Sequence, residues 1–163
     1  NDFRKISLIR DPKSGGSAAT STTMRGTKAI NLSGVSGTFT IYEEINQAST
    51  GAVGKVVEWD STLSLLYYQQ ESYKGFGTNA TTGNYVAFSS TNQITGSTSA
   101  ATGTTAGTTE TVTLANSNTL TLTSGYANPE LQADSGDIIY LENRKPIQRA
   151  SDQTEDIKII IEF

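Results

Sequence analysis

Apolar and polar residues alternate along this chain in short runs broken by turn residues, which is the period of half-buried strands rather than of helices. Ile157, Ile159, Ile161 and Phe163 fall on one face of an extended run, while Lys158 and Glu162 fall on the other. Ahead of them, Ile138, Tyr140 and Glu142 alternate onto one face of a strand that ends near Pro146, where the backbone has no donor to give. Asp152 and Glu155 have the spacing of a capping box, which predicts a single helical turn between the two strands. At the other end, Phe3 to Ile9 reads as a strand stopped by Asp11 and Pro12.

The middle of the chain is less regular. A strand is expected at Thr27 to Leu32, and another where Phe39, Ile41 and Ile45 alternate with Thr40, Tyr42 and Asn46. Val53 to Gln69 reads as a hairpin turning at Asp60-Ser61-Thr62, with Leu63, Leu65 and Tyr67 on one face of its second strand and Leu66 and Tyr68 on the other. A second hairpin is expected at Thr111 to Thr123 around Asn116-Ser117-Asn118, and a short strand at Tyr85 to Phe88. From Ser89 to Thr109 the residues are nearly all small or polar, with Ile94 the one sizeable apolar side chain. That stretch predicts a long loop or flexible tip, because little burial offsets its ordering entropy.

These elements point to an all-β sandwich. Residues 1–12 and 136–163 supply strands of one sheet, and residues 13–135 form a long β-rich insertion, rich in Thr, Ser and Gly, with a flexible segment near 89–109. The chain opens at Asn1 rather than Met and almost directly in a strand, an opening expected of a fragment.

Composition narrows the chemistry. Hydrophobic residues make up 35% and charged residues 17%, a balance that suits an all-β protein with polar loops. The absence of His removes the commonest general base and metal ligand, and the absence of Cys removes thiolate sites. A net charge of -4 argues against nucleic acid as the main partner. Arg4, Lys5, Arg10 and Lys13 read as the solvated charges of an edge strand. No apolar run approaches the roughly 20 residues of a membrane helix. Enzymatic readings rest on carboxylates alone. Glu43 and Glu44 are neighbours that point apart in a strand and read as a solvated edge, and Asp152 with Glu155 reads as a cap. Trp59, Tyr67 and Tyr68 form a candidate sugar-stacking platform, set against the plainer reading that hairpin aromatics are core. No cofactor, metal site or catalytic residue is expected.

The order Gly136, Tyr140, Glu142-Asn143-Arg144, Pro146, Ile147, then Asp152-Gln153-Thr154-Glu155 and Ile157, resembles the terminal region of the gene-product-eight baseplate wedge family of T4-like contractile-tailed phages. Phe3-Arg4-Lys5-Ile6-Ser7-Leu8-Ile9, with Pro12 after it, is similar to a strand just upstream of that region in the same family; Ser14 to Ser135 does not align with it. The resemblance implies a structural subunit without enzymatic activity, assembled in the host cytoplasm into the tail baseplate of the virion. Its partners would be a second copy of itself and other wedge proteins, with Tyr140, Glu142, Asn143, Arg144, Pro146, Asp152, Gln153, Thr154 and Glu155 as the assembly or structural motif. The alternative is a receptor- or glycan-binding phage tail module, followed by a glycan hydrolase.

Overall fold

The computed structural model describes residues 4–70, 77–79, 81–89 and 91–144. The strands in chain order are β1 (Arg4–Arg10), β2 (Lys13–Ser14), β3 (Ser17–Ala18), β4 (Lys28–Asn31), β5 (Ser33–Ser36), β6 (Glu44–Gln47) and β7 (Ala52–Asp60). They are followed by β8 (Leu65–Gln69), β9 (Ile94–Gly96), β10 (Thr102–Thr104), β11 (Glu110–Thr113), β12 (Thr119–Leu122), β13 (Tyr126–Ala127) and β14 (Asp137–Arg144). The fold is all-β, as the alternation predicts, with no helix among the described residues.

The body is one 8-stranded sheet in the order β13-β4-β8-β7-β6-β9-β10-β5. Strands β4 and β5 lie far apart in that order, yet only Leu32 separates them in the chain. The sheet therefore curls until its ends meet around that residue, and its concave face becomes an interior. Ile30, Leu32, Phe39, Ile45, Val56, Leu66, Tyr68, Phe88 and Ile94 fill it. On the outer face, the β11–β12 hairpin lays Leu120 and Leu122 over Ala29, Leu65 and Ala127. Both faces of β8 are thus covered, as its sequence predicts.

The hairpin β7–β8 turns where expected: the Asp60 carboxylate accepts the backbone N–H of Thr62 at 2.9 Å and of Leu63 at 3.0 Å. The β11–β12 hairpin also forms, with Val112 opposite Leu120. Two expectations fail. The strand read through Phe39, Ile41 and Ile45 is interrupted, because Tyr42 takes a positive φ of 68° and the chain turns, so that β6 starts only at Glu44. Around Tyr85 the chain makes only an isolated bridge to Thr78, while Phe88 reaches the core and meets Tyr68 edge to face at 5.1 Å.

The larger correction concerns Ser89 to Thr109. Where a flexible loop is expected, β9 and β10 sit inside the main sheet, between β6 and β5. Ile94, Ala101 and Thr105 are buried. Small residues achieve this by letting backbones come close, and two polar side chains beside β6 supply the fixings that large apolar groups would otherwise provide. Gln47, fully buried, donates to the carbonyl of Asn92 at 2.9 Å and accepts the N–H of Ser89 at 3.1 Å. Glu43 holds the next turn. Its carboxylate accepts the N–H groups of Thr40 (2.6 Å), Thr98 (3.0 Å) and Ser99 (2.9 Å) and the Ser99 hydroxyl (2.7 Å). The solvated edge expected at Glu43 is therefore a buried anchor. A side chain at Gly96 would stand 2.7 Å from the Glu43 carboxylate oxygen, so only glycine admits the anchor there.

Candidate assembly surface

Strands β1 and β14 form a two-stranded antiparallel ribbon outside the curled sheet. Residues directly opposite each other share a face. Ile6 is opposite Glu142 and Leu8 is opposite Tyr140, whereas Ser7 is opposite Leu141 and Ile9 is opposite Ile138. Leu8 and Ile9 are neighbours and point apart, so Tyr140 and Ile138 lie on opposite faces. The alternation of Ile138, Tyr140 and Glu142 onto one face is broken by a β-bulge at this point, which leaves Ile139 without a direct partner.

Among the described residues nothing covers either face of the ribbon. Leu8, Ile9, Ile138, Ile139, Tyr140 and Leu141 are each about half exposed or more, with Ile138 at 66%. They are six of the nine exposed large hydrophobic residues among those described, which makes the ribbon the dominant apolar surface. Arg10 and Asp137 at its base carry a cross-strand ion pair, at 3.2 Å and well exposed on both sides, which adds little stability.

The base itself is fixed to the body. The carbonyl of Lys13 accepts the N–H of Gln132 at 2.8 Å, and the Lys13 N–H donates to the Ser135 hydroxyl at 2.9 Å. Deeper in, Arg25 donates from its guanidinium to the carbonyls of Thr27 and Asn128, and its backbone N–H donates to the Glu130 carboxylate at 3.0 Å. Burial lowers the Arg25 pKa, and the nearby Glu130 charge partly opposes that shift. Where ribbon and body meet, Ile9, Ile138, Pro12, Pro129 and Leu131 border a hollow of about 500 Å³.

The residues singled out by resemblance are only partly in view. Tyr140 and Glu142 share the face that carries Leu8, and Asn143 and Arg144 end β14 opposite Lys5 and Arg4. Pro146, Asp152, Gln153, Thr154 and Glu155 lie outside the described residues, as do the capping turn and the strand expected at 157–163. The residues that composition did not flag are Ile9, Ile139, Leu141 and the Pro129–Leu131 rim of the hollow.

The aromatic platform does not assemble. Trp59 is half-buried and meets Phe39 edge to face at 5.3 Å, and Tyr68 is buried on the same interior face. Burial pushes the Tyr68 hydroxyl well above its ordinary pKa. Tyr67 points outward instead, to a cleft of about 320 Å³ shared with Met24, Glu58 and Asn116. The Tyr67 pKa is raised by burial and by the charge of Glu58.

No curated protein and no solved structure matches the chain. The family model Phage-Gp8, described as Bacteriophage T4, Gp8, matches residues 90–163. The match extends upstream of the terminal motif and takes in β9 to β13 as well as β14, a region that could not be aligned from its residues alone. Over residues 90–163, then, the chain is similar to the Phage-Gp8 family, a family of structural proteins of the phage baseplate.

Proposed function

We propose that this protein is a structural subunit of the baseplate wedge, that it works as a homodimer packed against other wedge proteins, and that it performs no catalysis. The observation that carries this reading is the bare apolar ribbon β1–β14 on a rooted base. Such a surface costs solubility in a free monomer and fits a protein held between neighbours. Leu8 and Tyr140 form the face offered to the second copy. Glu142, Asn143, Arg144 and Pro146, with Asp152 to Glu155, form the assembly motif, and the two ends of the chain, 1–12 and 136–163, act as one unit. The subunit joins the tail baseplate of the virion in the host cytoplasm, with neither nucleic acid nor membrane as a partner.

Light scattering on the full chain tests the reading. A dimer is expected, and Leu8→Asp combined with Tyr140→Asp turns it into a monomer with an unchanged circular dichroism spectrum. A monomeric parent at micromolar concentration overturns the dimer. Arg144→Lys tests the motif: a loss of assembly at unchanged melting temperature supports it, and parent-like assembly removes Arg144 from it. The glycan-binding alternative now rests on the cleft at Tyr67 alone, and binding on a glycan array that disappears in Tyr67→Ala would favour it.

A further inference from the structure

We propose that Ile41 and Tyr42 form a docking knob, and that this knob seats in the hollow at the ribbon's base of a second copy of the chain. The contact is separate from the ribbon face that carries Leu8 and Tyr140 and does not depend on it.

The Thr40 carbonyl accepts the Glu43 N–H at 3.2 Å, which closes a turn with Ile41 and Tyr42 at its corners. The φ of 68° at Tyr42 is of the kind that a type II turn requires at its second corner, where Gly or Asn is usual and a bulky side chain is strained. Burial does not offset that strain. Tyr42 is 81% exposed, the highest value among the exposed large hydrophobic residues described, and Ile41 beside it is 52% exposed. Nor is the tip loose: the Tyr42 N–H donates to the Val56 carbonyl at 2.9 Å, the buried Glu43 carboxylate holds the Thr40 N–H, and Phe39 below packs against Trp59. A strained, exposed aromatic on a fixed turn is preorganised for a contact that the described residues do not supply. Tyrosine is also among the residues that anchor protein interfaces.

The hollow matches the knob in size, chemistry and place. It encloses about 500 Å³ beside Ile9, Pro12, Leu131 and Ile138, room for an aromatic side chain, and Gln132 and Asp134 at its border offer acceptors for the Tyr42 hydroxyl. In the sheet order two strands separate β6, which follows the knob, from β4 on one side, and two separate it from β5 on the other. Gly26, just ahead of β4, borders the hollow, so knob and hollow lie on opposite sides of the curled body. One chain cannot join its own two patches, and different patches that meet between copies make a head-to-tail contact. Two buried side chains give a contact well below about 1,200 Å², the size of transient pairs, so copies join this way only when crowded.

The chain has no Cys, so introduced cysteines report the contact without background. Ile41→Cys in one batch of the full chain and Ala133→Cys, at the exposed border of the hollow, in another both leave Tyr42 in place. Mixed at high concentration and mildly oxidised, they are expected to give unlike links at least about 10-fold over either like link, where random collision gives about twofold. Random proportions, an excess of like links or no links at all overturn the contact. Tyr42→Asn then separates docking from folding, because Asn tolerates the left-handed backbone and lacks the ring. Added to Ile41→Cys, it is expected to abolish the excess of unlike links; alone, it is expected to melt at or above the parent's temperature. A persisting excess would remove Tyr42 from the contact, and a clearly lower melting temperature would show that its ring serves the fold; either result overturns the proposal.

Discussion

The curled body and the terminal ribbon invert the usual relation between apolarity and burial. Within Ser89 to Thr109, nearly devoid of large apolar side chains, β9 and β10 run inside the main sheet between β6 and β5, with Ile94 and Ala101 fully buried. In the ribbon, Ile138 to Leu141 form one of the most apolar runs in the chain and stay exposed. Apolarity decides what gains from being covered, but only a matching surface decides what is covered. In the body, Glu43 and Gln47 supply the match through hydrogen bonds. In the ribbon, the described residues contain no such cover.

The sharpest way to break this contrast is to remove the polar anchor. Glu43→Ala leaves three backbone N–H groups and a hydroxyl without their acceptor, and should cost on the order of 3 kcal/mol or more in urea unfolding. A loss below about 0.5 kcal/mol, the size of an ordinary surface change, would mean that β9 and β10 are held by something else. Gly96→Ala should cost about 1–3 kcal/mol, because its methyl group displaces the carboxylate without removing it.

Acid should act on the same anchor. Burial pushes the Glu43 pKa up, but hydrogen bonds from Ser99, Thr40 and Thr98 outweigh it and hold the group below its ordinary value. A folded pKa below the unfolded one contributes stability that is complete above the unfolded value, about 4.3, and is lost as pH falls through the folded pKa. Melting temperature should therefore drop below about pH 4.3 more steeply in the parent than in Glu43→Gln. Parallel curves would remove Glu43 from the acid response. The smallest stability effect is expected in the ribbon: Leu8→Asp should shift unfolding by no more than about 0.5 kcal/mol while weakening self-association. A large loss of stability there would show that this face is covered within the chain.

Hairpins were legible in the sequence because their information is local. Asp60 caps its own turn, and Val112 faces Leu120 across a turn only a few residues long. That the opening strand and the strand at 137 share a sheet was an expectation of the sequence; that they pair directly with each other was not. The strands β9 and β10 were not legible, since Thr, Gly and Ala state no preference until Glu43 and Gln47 arrive from some 45 to 55 residues upstream. Nor was the bulge that turns Ile138 away from Tyr140, because it depends on how two distant strands fall into step. Of the candidate site, the sequence displayed the alternation of Tyr140 with Glu142 but not the bareness of the strand that carries them.

The single residue between β4 and β5 has a mechanical consequence. Because Leu32 joins β5, at one end of the sheet order, to β4, next to the other end, a pull applied to either strand is carried around the ring to the other. Leu32 is itself buried, and its N–H is tied to the carbonyl of Ser64 at 2.8 Å. Under load, the body should therefore yield as one unit at a single force rather than in a series of small steps.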